Sequence, residues 1–186
     1  MIPAPNLSAE IRSAYTITDN LEACKLLVTN NAPVTIKAGD YFKIQNGITV
    51  EAGSSLTLES DANLVQVNNN PVPPNSGDIT SKRTIALRAD RNQYNYLISP
   101  VIGQSLKTIY PNIDFVLYYN EANDYFYSSS GAYIAGRGLA VKVPNANTIG
   151  TSVSADFNGV PANGMISFPL AFSNSSRGSN LVGNPY

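Results

Sequence analysis

Apolar residues in this chain alternate with polar ones in bursts of three or four, and each burst ends in a turn. Over the first third they fall at 26–29, 34–36, 42–44, 48–50, 56–58 and 64–67. Asn30-Asn31, Ala38-Gly39, Asn46-Gly47, Ala52-Gly53 and Asp61-Ala62-Asn63 separate them. A period of two marks a half-buried strand, and Gly, Asn and Asp tolerate the backbone of tight turns. The pattern sends Val34, Ile36, Phe42, Ile44, Ile48, Val50, Leu56 and Leu58 inward, with Thr, Lys and Gln outward. Asn46-Gly47 is expected to take the positive φ of a tight connection.

Residues 34–47 and 48–61 are near copies, each of fourteen residues, with Ala-Gly at the same offset. A unit this short cannot bury its own apolar face and has to stack on neighbours. The expectation is a short β-solenoid-like repeat subdomain over 21–70. Residues 1–20 form a lead-in or cap with one short strand near 14–18. Residues 71–77, dense in Pro and Asn, read as a linker.

The second half alternates over 79–87, 94–99, 115–120, 125–128, 139–143, 153–157, 165–170 and 181–182. Only 103–109 suggests a helical turn. Asn120-Glu121-Ala122-Asn123-Asp124 joins two aromatic strands as a hairpin loop. Many short strands at this spacing predict a β-sandwich-like subdomain over 78–186, so the fold class is all-β.

Composition agrees. The chain holds 22 Asn, 19 Ser, 13 Gly and 12 Pro, which are turn formers, and only 13% charged residues. Net charge is -1 with no basic run, which argues against nucleic acid as a partner. Nothing suggests insertion in a membrane, and the N-terminal residues lack the features of a signal peptide. The ending at Asn184-Pro185-Tyr186 suggests a fragment of a longer protein.

The sequence contains no His and one Cys. A His-dependent triad and a His-ligated metal are therefore excluded. Cys24 has no partner for a disulfide and is expected as a small buried residue. The Ser128-Ser129-Ser130-Gly131 and Asn174-Ser175-Ser176-Arg177-Gly178 hydroxyls have no base to activate them. Asp78, Asp90, Asp114 and Asp156 have no spacing that marks a glycosidase pair. Gly136-Arg137-Gly138 lacks the Lys-Ser/Thr and following helix of a phosphate loop and reads as a turn. The chain is expected to be no enzyme and to need no cofactor.

Two constellations suggest binding. Tyr118, Tyr125, Tyr127 and Tyr133 cluster around the hairpin, with Tyr118, Tyr125 and Tyr127 on strands; aromatic faces stack on sugar rings, although cross-strand pairing uses the same residues. Asn120, Glu121 and Asp124 bring oxygen ligands to one loop, a candidate Ca²⁺ site without the usual twelve-residue pattern.

Several segments also resemble a known group. Tyr94-Asn95-Tyr96-Leu97-Ile98-Ser99-Pro100-Val101 resembles the Tyr-x-Tyr-Trp-Ser-Ser-Pro-Val segment of large surface proteins secreted by flavobacteria and relatives, with Leu97 in place of Trp. Ala135-Gly136-Arg137-Gly138-Leu139-Ala140-Val141-Lys142-Val143-Pro144 is similar to their Ala-Gly-Lys-Gly-Tyr-x-Val-x-x-Pro. Phe157-Asn158-Gly159-Val160-Pro161-Ala162-Asn163-Gly164 resembles a Phe-x-Gly-x-Pro-x-Asn-Gly turn. Asn180-Leu181-Val182-Gly183-Asn184-Pro185-Tyr186 resembles the start of an Asn-Leu-Val-Gly-Asn-Pro-Tyr-Pro-Ser box. The resemblance implies an adhesin-like cell-surface protein exported by type IX secretion, gliding-motility adhesins included, without the sorting domain. It supplies no catalytic residues.

The function expected is a non-catalytic structural or adhesion module at the cell surface, with surface glycans or other surface and secretion-system proteins as partners. The alternatives are a carbohydrate-binding module of a secreted enzyme and a phage fibre or decoration protein.

Overall fold

The computed structural model describes residues 4–86, 94–110, 115–142, 152–174 and 177–186. Leu87, Asp90, Asp114, Val143, Pro144, Ser175 and Ser176, which figure in the expectations above, lie outside these residues. Strand accounts for 42% of the described residues and helix for 4%, so the fold is all-β.

Nine short strands make three coils. The first coil holds β1 (Ala9–Ile11), β2 (Tyr15–Ile17) and β3 (Leu21–Ala23). The second holds β4 (Leu26–Val28), β5 (Pro33–Ile36) and β6 (Tyr41–Ile44), and the third β7 (Ile48–Val50), β8 (Ser55–Leu58) and β9 (Asn63–Gln66). Each strand pairs in parallel with its counterpart one coil on, giving three sheets: β1-β4-β7, β2-β5-β8 and β3-β6-β9. This is a three-sided parallel solenoid. The expected lead-in is its first coil.

From the second coil to the third the chain advances by 22 residues, as Asn46 to Asn68 shows, and the same step sets Leu26 beside Ile48 and Phe42 beside Leu64. The fourteen-residue copy is therefore not the coil. It matches β5-turn-β6 of one coil to β7-turn-β8 of the next, because corners on different sides use the same Ala-Gly turn. Four corners close alike, with amide-to-carbonyl bonds from Ala32 to Thr29 (3.1 Å), Asp40 to Lys37 (3.1 Å), Ser54 to Glu51 (3.0 Å) and Ala62 to Glu59 (2.9 Å). Their third residues all have positive φ: Asn31 57°, Gly39 87°, Gly53 84° and Asp61 69°.

The corner between β6 and β7 works differently. Asn46 and Gly47 do not take the expected positive φ. Instead Cys24, Asn46 and Asn68 stack as a ladder. Asn68 Nδ2 donates to Asn46 Oδ1 at 2.9 Å, and Asn46 Nδ2 reaches Cys24 Sγ at 3.4 Å. Cys24 is thus a half-buried rung of that ladder and not a fully buried residue. Gly47 is there for room, since a Cβ would collide with the Pro73 carbonyl.

The inward rows form the solenoid core as the alternation requires. Val34, Ile36, Phe42, Ile44 and Leu56 are fully buried, and Ile48, Val50 and Leu58 nearly so. Stacked like on like, they keep their apolar area out of water, worth about 25 cal/mol per Å². Outward, Thr16, Thr35, Thr57 and Thr80 align strand by strand along one side. Ion pairs tie neighbouring coils, with Lys37 Nζ 3.0 Å from Glu59 Oε1 and Lys43 Nζ 3.3 Å from Glu22 Oε1.

Residues 71–77 do not act as a free linker. Ser76 forms a parallel bridge with Thr49, and its N–H and C=O bond to Ile48 and Val50, each at 2.9 Å. The Asn75 side chain accepts from Ile48 N (3.0 Å) and Gln66 Nε2 (2.8 Å) and donates to Gln66 Oε1 (2.7 Å) and Pro161 O (3.1 Å). Proline lacks a donor, but Asn75 and Ser76 supply what the coil end needs. β10 (Ile79–Ala86) then pairs in parallel with β8, and β15 (Ser152–Gly159) follows it in that sheet.

The described residues divide into two compact units. One comprises Met1–Arg83, Asp156–Met165 and Tyr186, the other Thr84–Ala155 and Ile166–Pro185. The second is built on a four-stranded antiparallel sheet in the order β11 (Asn95–Leu97), β14 (Leu139–Lys142), β12 (Phe115–Asn120), β13 (Tyr125–Ser128). Consecutive Leu139, Ala140 and Val141 are all buried, so both faces of the sheet are covered at its centre. One helical turn, α1 (Leu106–Ile109), falls within the expected stretch. The strand expected over 165–170 does not form; Pro169 removes a donor mid-run, and Met165 and Leu170 are exposed.

Candidate functional site

The aromatic hairpin forms as the alternation indicates. β12 runs to Asn120, a 3-10 turn spans Glu121–Asn123, and Asp124 turns the chain with φ 49° before β13 starts at Tyr125. Register sets Tyr118 opposite Tyr127, Tyr119 opposite Phe126 and Asn120 opposite Tyr125. Tyr118, Tyr125 and Tyr127 therefore share one face, and Tyr119 and Phe126 the other.

On the first face the rings form a row. Tyr118 and Tyr127 lie near-parallel, 6.0 Å between centroids and 29° between planes, an offset pair that leaves part of each ring uncovered. Tyr125 meets Tyr127 edge-on at 5.5 Å and 77° and is 64% exposed. At the far end the Arg137 guanidinium sits over the Tyr118 ring, 5.6 Å from its centroid. Asn123 Nδ2 donates to the Tyr127 hydroxyl at 3.0 Å. Tyr133 is half-buried in the irregular stretch between β13 and β14. The row is thus built by cross-strand pairing and still presents Tyr125 and Tyr127 to solvent. Sequence reasoning located these tyrosines but passed over Arg137, whose backbone bridges to the distant Val182.

The three candidate calcium ligands point to different partners. Glu121 is buried, and its Oε1 accepts from Ser173 N (2.9 Å) and Ser173 Oγ (3.2 Å). The exposed Asp124 accepts from the Tyr119 hydroxyl, and that bond is the first cause holding the Tyr119 phenol above its ordinary range. Asn120 lies half-buried across from Tyr125. Each carboxylate is engaged by a protein donor. Among the described residues no three His, Cys, Asp or Glu side chains gather to hold a metal. Asp78 and Asp156 are exposed.

The segments that carry the family resemblance serve packing. Arg137 and Val182 form an antiparallel bridge, with Gly138 N bonded to Leu181 O (3.2 Å) and Gly183 N to Gly136 O (3.0 Å). A Cβ on Gly138 would press on Leu181, and one on Gly183 on Ile98. Three of the segments thus meet through their glycines. In the other unit, Pro161 accepts from Asn75, and Asn163 Nδ2 donates to Asn68 O at 3.2 Å, so the Phe157–Gly164 turn closes the solenoid end.

Over residues 1–186 the sequence matches the family described as Domain of unknown function (DUF8693). The chain belongs to that family. No curated protein and no solved structure matches it. The whole chain, solenoid coils and antiparallel sheet together, therefore falls within one family domain.

Proposed function

We propose that this chain is a non-catalytic structural and adhesion module of a secreted bacterial cell-surface protein. The observation that carries this reading is the stacked solenoid. Its coils stack apolar inward residues on apolar inward residues, and its outward positions include an aligned row of Thr and paired charges. Such a unit is stabilised by nearest-neighbour coils and serves as a scaffold. The resemblance segments support the same reading, because their glycines hold backbone against backbone. Type IX export and extracellular location follow from that resemblance as parts of the proposal.

The exposed Tyr125 and Tyr127 favour a second reading, a carbohydrate-binding module of a secreted enzyme. Both readings predict contact with surface polysaccharide and differ in what the chain is attached to. The test is a glycan and polysaccharide array with the purified chain, in calcium and in chelator. Saturable binding that is lost with Tyr125→Ala supports a ligand-contacting module, and binding unchanged by chelator excludes calcium from it. A blank array removes the glycan-contact role and leaves the scaffold role alone.

A further inference from the structure

We infer that the Tyr125–Tyr127–Tyr118–Arg137 row binds acidic oligosaccharide, with Arg137 taking a sugar carboxylate and the exposed tyrosines taking the ring faces. The inference rests on the proposed adhesion role and narrows its ligand class. Arg137 is the anchor. Its guanidinium lies over Tyr118, and among the described residues it has no carboxylate partner. A guanidinium that lies over a ring and has no carboxylate partner keeps N–H donors to offer, and these match a carboxylate in bidentate fashion.

The surroundings select for an anion. The two carboxylates of the hairpin tip are turned away: Glu121 is buried against Ser173, and Asp124 is held by Tyr119 on the opposite face. The tyrosine face thus carries the Arg137 positive charge beside aromatic surface and the Asn123–Tyr127 hydrogen bond. Ring spacings of 5.5 and 6.0 Å link Tyr125 to Tyr127 and Tyr127 to Tyr118, the ring under the cation. A chain of uronate residues laid along the row places apolar sugar faces on Tyr125 and Tyr127 and one carboxylate at Arg137. A neutral glycan leaves that cation without an anion.

The test is calorimetric titration of the whole chain with tetragalacturonate, and with cellotetraose as the neutral comparator. The expected result is saturable binding of the uronate that weakens at least tenfold in Arg137→Gln and in Tyr125→Ala. Arg137→Lys, which keeps charge but not the fork, retains part of it. Circular dichroism melts at parent temperature confirm that the variants fold; if Arg137→Gln unfolds, a rise in the uronate's dissociation constant with added salt carries the same question. Equal affinity for the two sugars, or no effect of Arg137→Gln, overturns acid selectivity while leaving a glycan-binding adhesin intact. No binding of either sugar overturns the inference, whereas failure of the adhesion role itself appears as a blank array.

Discussion

Single residues in this chain are explained by their neighbours one coil away. Gly53 and Gly39 both have positive φ, yet a Cβ on Gly53 would collide with Asn31 Oδ1, whereas Gly39 faces open space. The position one coil beyond Gly39 is Asp61, itself at φ 69°. Gly53→Ala is therefore expected to cost roughly 2 kcal/mol or more and Gly39→Asn less than about 1 kcal/mol. Thermal melts check the order, since about 1 kcal/mol moves Tm by about 2–4 °C at this chain length. Ser54 stacks on the buried Ala32, and its hydroxyl is buried without a partner among the described residues. Ser54→Ala should accordingly stabilise the chain by about 1 kcal/mol. Tyr110, 7% exposed, has its phenol pushed up to about 12 by burial. A raised folded value means its contribution is complete below the unfolded value near 10.0 and is lost as pH climbs to about 12. Denaturant melts between these limits should show a parent slope that Tyr110→Phe lacks.

At the scale of elements, hydrogen-bonded ladders decide where the solenoid starts and stops. Asn75 is the keystone of the last coil, because one amide serves Ile48, Gln66 and Pro161 at once. Asn75→Ala removes the partners of the Ile48 N–H and the Gln66 Oε1, while Gln66 Nε2 keeps Asn46 O, and should cost about 2–4 kcal/mol. Hydrogen exchange should then show Ile48 and Ser76 amides losing protection before those of β5; uniform loss would contradict the capping role. Along the outer face, the hydrogen bond from Lys37 is the first cause that holds the Glu59 carboxyl below its usual 4.5. That depressed value makes the stabilisation full above pH 4.5 and lost as pH falls through the lower folded value. Glu59→Gln should flatten the acid limb of stability there. Strand alternation and the eight inward apolar residues were legible in the sequence, because period two reports burial directly. The coil length was not, because local turns repeat at fourteen residues while stacking repeats at 22. The linker was misjudged for a related reason: composition marks Pro and Asn as loop formers but does not say which long-range partner an Asn will satisfy.

For the molecule as a whole, the architecture and the tyrosine face were visible in the sequence, while the cation completing that face was not. Arg137 lies over Tyr118, nineteen residues away in sequence, and its backbone bridges to Val182. At the hairpin tip, carboxylates that neighbour each other in sequence are drawn to different donors, Ser173 and Tyr119. What remains is a parallel solenoid and a covered antiparallel sheet, held by packing glycines and ladders, with one solvent-facing aromatic row. The proposed surface role requires the chain to be reachable from outside the cell. The most direct measurement is protease treatment of intact cells that express the natural gene, followed by immunoblot for this chain. The account predicts that external protease removes the chain while a cytoplasmic marker survives. Full protection until the cells are lysed would contradict it.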